Sequence, residues 1–206
     1  QNGNSKWITG EFSREHVHIN RSIYDGVLIG SNTAKNDDPL LTVRYPGLEN
    51  EKTTRVLLDS SLSLSVSSKL VASAKKFPLI VFTKKKISNG NNKYQKLIEA
   101  GVNIFQVDTD KNNMLLLRDI MIILNKIGLT RILVEGGAKV ASSFLRENLV
   151  DQMYIYRSKK IIGSEGLDMF SALKTDDSFN LHKNIKLDLD NLEIWLNKKI
   201  ISINKF

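Results

Sequence analysis

Short apolar runs alternate along the chain with segments whose apolar positions recur every three or four residues. The runs are Gly26–Ile29, Arg55–Leu58, Leu79–Phe82, Val102–Phe105, Arg131–Val134 and Gln152–Tyr156. Runs that are apolar throughout, rather than at every second position, belong to strands covered on both faces. Helix candidates fall between them. Ser13 stands where it would cap a helix running to Ile23, and Lys93–Ala100 stops at Gly101. Asn113–Ile127 carries Leu116, Ile120, Ile123, Leu124 and Ile127 on one stripe, and a fourth helix starts near Gly137 and passes Phe144 toward Asn148. The tail changes rhythm: Ile185–Leu189 and Leu192–Leu196 alternate apolar and polar around Asp190-Asn191, which predicts an antiparallel hairpin closing the sheet edge. The expected fold is therefore α/β, with three layers: a mostly parallel central sheet flanked by helices, plus a C-terminal antiparallel hairpin. Lys84–Lys93 reads as a surface loop and nothing marks an interdomain boundary, so the 206 residues are expected to form one domain.

Composition narrows the chemistry more than the fold. Hydrophobic residues at 41% and charged residues at 25% are those of a folded chain, and no apolar run is long enough to cross a bilayer. The N-terminus has no apolar secretory core, so the expected partners exclude membranes. The chain has no cysteine, which excludes thiolate nucleophiles, iron–sulfur clusters and cysteine-ligated zinc and fits a cytoplasmic location. The excess of 30 Lys+Arg over 22 Asp+Glu favours anionic ligands. Because the lysines are scattered and lack aromatic stacking platforms, small anions are expected rather than nucleic acid.

In an open α/β sheet, ligands bind beyond the carboxyl ends of the strands, and four such places carry candidate chemistry. Gly30–Arg44 brings hydroxyls, adjacent acids and an arginine after a strand, or simply a helix cap and a turn before Pro39. Glu135-Gly136-Gly137 leads into a helix whose N-terminus would favour a phosphate, or the glycines merely make a tight turn. Leu58-Asp59-Ser60-Ser61 is a turn or a serine donor. Thr83-Lys84-Lys85-Lys86 is a solvated charge run or a site for the extra phosphate of NADPH. Neither the Rossmann glycine fingerprint nor the P-loop is present. His16 and His18 are two apart on a helix and His182 is isolated, so no metal site is expected. Trp7 is either plain core or the wall of a ligand pocket.

In this order and spacing, SKWITGEFSREHVHINRS, DGVLIGSNTAKNDDPLLTVR, VLLDSS and ILVEGGAKVASSFLRENLVDQMYIY resemble the reductase domain of the bifunctional riboflavin-biosynthesis deaminase/reductase, over nearly the whole chain. The resemblance implies a dihydrofolate-reductase-like fold, homodimerisation and NADPH-dependent reduction of 5-amino-6-(5-phosphoribosylamino)uracil. It implies that Ser5, Arg21, Leu41, Arg44 and Glu135 contact this phosphorylated pyrimidine substrate. Cofactor contacts implied in the same way are Trp7, Thr33, Asp37, Ser60, Gly137, Ala138, Lys139, Val140, Ala141, Ser142 and Ser143. Arg21 or Arg44 would grip the phosphate, Glu135 the amino-pyrimidine end, and Asp37 or Glu135 would assist proton transfer. Other readings remain: a same-fold reductase of a pterin, or a non-catalytic nucleotide-binding module. The chain opens at Gln1-Asn2-Gly3 without the first strand usual in the family, and contains no zinc deaminase segment. It is therefore expected to be part of a longer protein, with a deaminase domain upstream.

Overall fold

The structure is a computed structural model that describes residues 7–85, 92–160 and 178–203, with side chains described as far as Ile200. The chain divides into two compact units, one spanning His18–Ala141 and the other formed by the flanking stretches.

The His18–Ala141 unit is built on a five-stranded parallel sheet. Its strands are β1 (Gly26–Gly30), β2 (Thr54–Leu58), β3 (Leu79–Lys84), β4 (Val102–Val107) and β5 (Ile132–Gly136), in the order β4-β3-β2-β1-β5. Every residue of β1 is buried, as are Leu79–Thr83 of β3, so the uniformly apolar runs do mark strands covered on both faces. Val27, Ile29, Leu57, Leu79 and Val81 pack with Leu41, Leu62, Leu70 and Leu97 in one core cluster. The strand order has a functional consequence. From β1 the chain steps outward through β2 and β3 to β4, then returns to β5 on the opposite side of β1. The exits of β1 and β5 thus form the topological switch point, the place where open α/β sheets bind ligands. Into those exits run α2 (Ser31–Asp37) and α6 (Ala138–Arg146); α1 (Glu11–Ile23) precedes β1.

The remaining helices are α3 (Lys69–Ala72), which the sequence reading did not foresee, α4 (Asn92–Glu99) and α5 (Leu117–Lys126). Helix α4 ends as expected before Gly101, whose φ is +92°. Helix α5 starts four residues later than the apolar stripe suggested. The Asp110 carboxylate accepts the amides of Asn112 and Met114, and this side chain–backbone turn competes with helix at Asn113. Ile120 and Leu124 are buried as expected, whereas Ile127 is 45% exposed.

In the flanking unit, β6 (Gln152–Arg157), β7 (Phe179–Leu187) and β8 (Asp190–Asn197) form a separate antiparallel sheet in the order β6-β8-β7, followed by α7 (Lys198–Ile203). The hairpin therefore does not close the edge of the parallel sheet; it pairs with β6, and β6 is not a parallel strand. The turn lies at Asp188-Leu189, with Asp188 at φ +52°, rather than at Asp190-Asn191. Asp190 is needed elsewhere. Its carboxylate accepts the Gly10 amide and the Ser13 hydroxyl, each at 2.6 Å, at the start of α1. Ser13 thus lies inside the first turn as a donor, and the capping acceptor comes from a residue 177 positions away.

Candidate active site

Beyond the carboxyl ends of β1 and β5, α2 and α6 pack closely against three glycines. A Cβ on Gly30 would lie 2.6 Å from Val140 Cγ2, and one on Gly136 would lie 3.3 Å from Thr33. Gly137 combines a φ of +77° with Thr33 Oγ1 at 3.1 Å from a would-be Cβ. The structure thus brings together Thr33, Gly137 and Val140, residues implicated as cofactor contacts from separate parts of the sequence. Gly137 accepts the amides of Val140 and Ala141 through its carbonyl. The leading amides of α6, those of Ala138 and Lys139, lie outside the intrahelical ladder and carry the positive end of the helix dipole.

One residue earlier, the β1–β5 ladder slips. Leu28 pairs with Val134 and Ile29 with Gly136, so Glu135 is a bulged residue without a ladder partner on β1. A bulge at a strand end re-aims the side chain it carries. Here the carboxylate meets Arg21 in the last turn of α1: Nε donates to Oε1 and Nη2 to Oε2, both at 2.6 Å. Both side chains are only partly exposed, at 12% and 15%. The remaining arm of the guanidinium, Nη1, donates to the Thr42 carbonyl at 3.0 Å. Arg21 therefore joins α1, β5 and the segment after α2, while Glu135 keeps lone pairs available for further donors.

That segment is irregular and tightly specified. Leu41 is buried yet has φ +54°, a conformation that costs a β-carbon-bearing residue about 1–2 kcal/mol. Two residues on, Val43 is buried and Arg44 is exposed. The Arg44 amide donates to His18 Nδ1 at 3.1 Å. The ring must be neutral at that nitrogen to accept. Burial, then the positive charges of Arg21 and Arg44, push the His18 pKa down to about 4 against the opposing effect of a hydrogen bond to the Thr42 backbone. The neighbouring His16 points elsewhere, with Nδ1 2.7 Å from the Tyr156 hydroxyl.

The other candidates are distributed as follows. Asp37 is exposed at the end of α2, before Asp38 terminates the helix in the left-handed conformation. Ser60 is half-buried, and its carbonyl accepts the Thr83 hydroxyl and the Lys84 amide. The buried Asp59 beside it accepts the Ser63 hydroxyl and the Leu64 amide, so this stretch is a turn. Within α6, Ala138, Val140, Ala141 and Ser142 are half-buried and Lys139 is exposed. Ser143 is the inward member, buried, with its hydroxyl accepting from Arg146. Trp7 is not core: it is 61% exposed, with the Arg14 guanidinium 4.5 Å from its ring centroid. Lys85 is ion-paired with Asp108, while Ser5 and Lys86 lie outside the described residues.

Two contributors escaped the sequence reading. His18 was weighed only as a metal ligand, and its role as a backbone acceptor follows from folding α1 against the 39–44 segment. Arg55 was counted simply as part of a strand. A charged residue opening an otherwise apolar run was the available signal.

Residues 1–193 match the RibD C-terminal domain family. The riboflavin biosynthesis protein RibD of Aquifex aeolicus is 37% identical over 167 residues, covering 81% of this chain and 44% of the relative. A crystal structure of a diaminohydroxyphosphoribosylaminopyrimidine deaminase/5-amino-6-(5-phosphoribosylamino)uracil reductase from Thermotoga maritima superposes with a TM-score of 0.76 at 30% identity, over 96% of this chain and 52% of that one. A pyrimidine reductase-like protein from Corynebacterium diphtheriae, 20% identical with a TM-score of 0.77 over 96% of this chain and 85% of its own, shares the fold. The chain spans 44% of the Aquifex relative's length and 52% of the Thermotoga protein's. With the match running through both strand exits and the Arg21–Glu135 pair, the chain belongs to the RibD C-terminal domain family.

Proposed function

We propose that the chain reduces 5-amino-6-(5-phosphoribosylamino)uracil to the ribitylamino product with NADPH. The observation that carries this reading is the bulged Glu135, held by Arg21 at the switch point beside the glycine turn into α6, in a chain of this family. The residues present suit a dinucleotide. Gly137 is exposed at a positive φ, the first amides of α6 follow it, and Thr33 supplies a hydroxyl and Lys139 a positive charge alongside. Bound there, NADPH supplies a hydride. Ring opening of the phosphoribosylamine gives a C=N bond, and reduction adds the hydride to carbon and a proton to nitrogen.

The chain's own task is alignment of the reacting carbon within about 3–3.5 Å of the donor, together with charge complementarity. Glu135, fixed from behind by Nε and Nη2 of Arg21, accepts hydrogen bonds from the amino-pyrimidine. Arg44, exposed on a segment anchored at its backbone, is the guanidinium available to the phosphate, because all three nitrogens of Arg21 already donate within the protein. The sequence offered Arg21 and Arg44 as alternatives for this role, and the hydrogen bonds of Arg21 favour Arg44. Asp37 is the exposed carboxyl available to move a proton, and Asp37→Asn is expected to lower turnover more than NADPH affinity. Unchanged turnover would remove it from the chemistry. A fused deaminase fits the same reading, since the Thermotoga relative carries both activities in its name and this chain spans 52% of it.

The test is NADPH oxidation with the purified chain and the phosphoribosylamino-pyrimidine, run beside a nucleotide-binding titration. Substrate-dependent oxidation is expected. Nucleotide binding without oxidation would favour a non-catalytic module instead, and equal oxidation with a pterin would relocate the substrate class.

A further inference from the structure

Arg55 lies in β2 with no exposed surface, the largest fully buried side chain among the described residues. Among the described residues its charge has no counter-ion: no carboxylate lies within 4.0 Å, and the ion pairs there involve other arginines and lysines. The guanidinium is satisfied instead by neutral groups. Nη2 donates to the Phe77 carbonyl, Nε to the Pro78 carbonyl at 3.5 Å, and Nη1 to Ser73 Oγ at 2.7 Å and the Leu40 carbonyl at 3.3 Å. Burial without a balancing charge pushes its pKa down to about 10. An isolated cation inside a parallel sheet is costly compared with the aliphatic residue that the strand pattern would otherwise take. Three of its acceptors tie β2 to the α3–β3 connection, a purely structural job. The fourth reaches the segment that carries Leu41 and Arg44.

The bonds along that segment form a series. Arg55 holds the carbonyl of residue 40, Arg21 holds that of residue 42, and His18 holds the amide of residue 44. Between the two clamped carbonyls sits Leu41, at φ +54°. A leucine persists in the left-handed region only where its surroundings over-determine it. The two arginines provide that constraint, one from each side.

We propose that Arg55 is a positioning residue: through the Leu40 carbonyl it works with Arg21 to hold Leu41 left-handed, and so fixes the 41–44 segment that presents Arg44 to the phosphorylated end of the substrate. The proposal rests on the functional reading above for the identity of the substrate, and on geometry alone for the clamp. A lysine at position 55 keeps the charge and can reach one carbonyl, but it lacks the fork that serves the Leu40 and α3–β3 groups together.

Two readouts separate the clamp from general stabilisation. In Arg55→Lys without ligand, amide hydrogen exchange over residues 40–44 is expected to rise about tenfold while that of β3 stays at the wild-type level. In turnover, KM for the phosphoribosylamino-pyrimidine should rise about tenfold with KM for NADPH within about twofold and kcat within about threefold. Ser73→Ala, which loosens the guanidinium without removing it, should move both readouts the same way by about threefold, and it decides the matter if Arg55→Lys does not fold. Unchanged exchange over 40–44 in a folded variant would overturn the proposal, as would equal rises in both KM values. If the wild-type chain fails to oxidise NADPH with this substrate, the functional reading falls and the exchange measurement alone still judges the clamp.

Discussion

The two halves of the candidate site are held by opposite means. At the β1 and β5 exits, the chain comes together through missing atoms: a Cβ on Gly30 would collide with Val140, and one on Gly136 or Gly137 would crowd Thr33. Along residues 40–44, it is held by added groups, with two guanidiniums and an imidazole seizing backbone carbonyls and an amide. The first device is a steric fit and is insensitive to charge or pH. The second is electrostatic and depends on the protonation state of His18 and on Glu135 holding Arg21. Under the proposed function, the dinucleotide cofactor would meet a rigid backbone cradle and the phosphosugar of the substrate a charge-held arm.

Removing the hub of the charged half should have the largest effect. Glu135→Ala leaves the largely buried Arg21 guanidinium with the Thr42 carbonyl as its only hydrogen-bond partner among the described residues, and is expected to cost about 3 kcal/mol of stability. Turnover should fall more than about 100-fold, because the proposed charged acceptor for the substrate is lost as well. Thermal unfolding and steady-state kinetics check the two parts separately. Wild-type activity in Glu135→Ala would show that the charged half does not serve the substrate.

The steric half is tested next. Gly30→Ala should cost about 1–3 kcal/mol, since its Cβ must displace Val140 Cγ2 from 2.6 Å. Val140→Ala removes the opposing methyl groups, so the double variant should recover a large part of that loss. Denaturant titrations of both single variants and the double variant give the coupling directly. Simple additivity would mean that the close approach does not constrain the fold. Either result leaves the pH dependence of the charged half untouched, which is the sense in which the two devices are independent.

The steric half was also the more legible of the two. Strands buried on both faces advertise themselves as unbroken apolar runs, and a glycine pair between a strand and a helix is a local signal, so β1 to β5 and the start of α6 followed from the sequence. What local pattern could not supply was any acceptor or donor brought in by the fold. Glu135 and Arg21 were both singled out, but as separate ligands for the substrate. Their pairing requires the bulge that drops Glu135 from the β1 ladder, and a one-residue slip in register leaves no mark in composition. Ser13 was assigned the cap that Asp190 provides, because a capping acceptor 177 residues away is invisible to a rule that reads neighbours. Arg55 followed the same logic in reverse. Its residue type departed from the strand pattern, but its acceptors are three backbone carbonyls and a serine, and carbonyls carry no sequence signature.

The smallest effect concerns His18. Its folded-state pKa is pushed down to about 4 from an ordinary 6.5, so between those values the unfolded chain takes up a proton that the folded chain refuses. Acidification in that window therefore favours unfolding. The stabilising contribution of the neutral ring is intact above pH 6.5 and drains away as the pH falls toward 4. His18→Gln keeps an acceptor for the Arg44 amide and cannot titrate, so carboxylates that respond to acid cancel when the two proteins are compared. The wild type should lose a few tenths to about 1 kcal/mol relative to His18→Gln across this range, the full shift being trimmed by screening at a partly exposed ring. In the folded protein the Arg44 arm should loosen only as the pH approaches 4 and passes below it, because a protonated Nδ1 can no longer accept its amide. Parallel stability curves for the two proteins would detach His18 from the charged half and leave Arg21 and Arg55 as its only anchors.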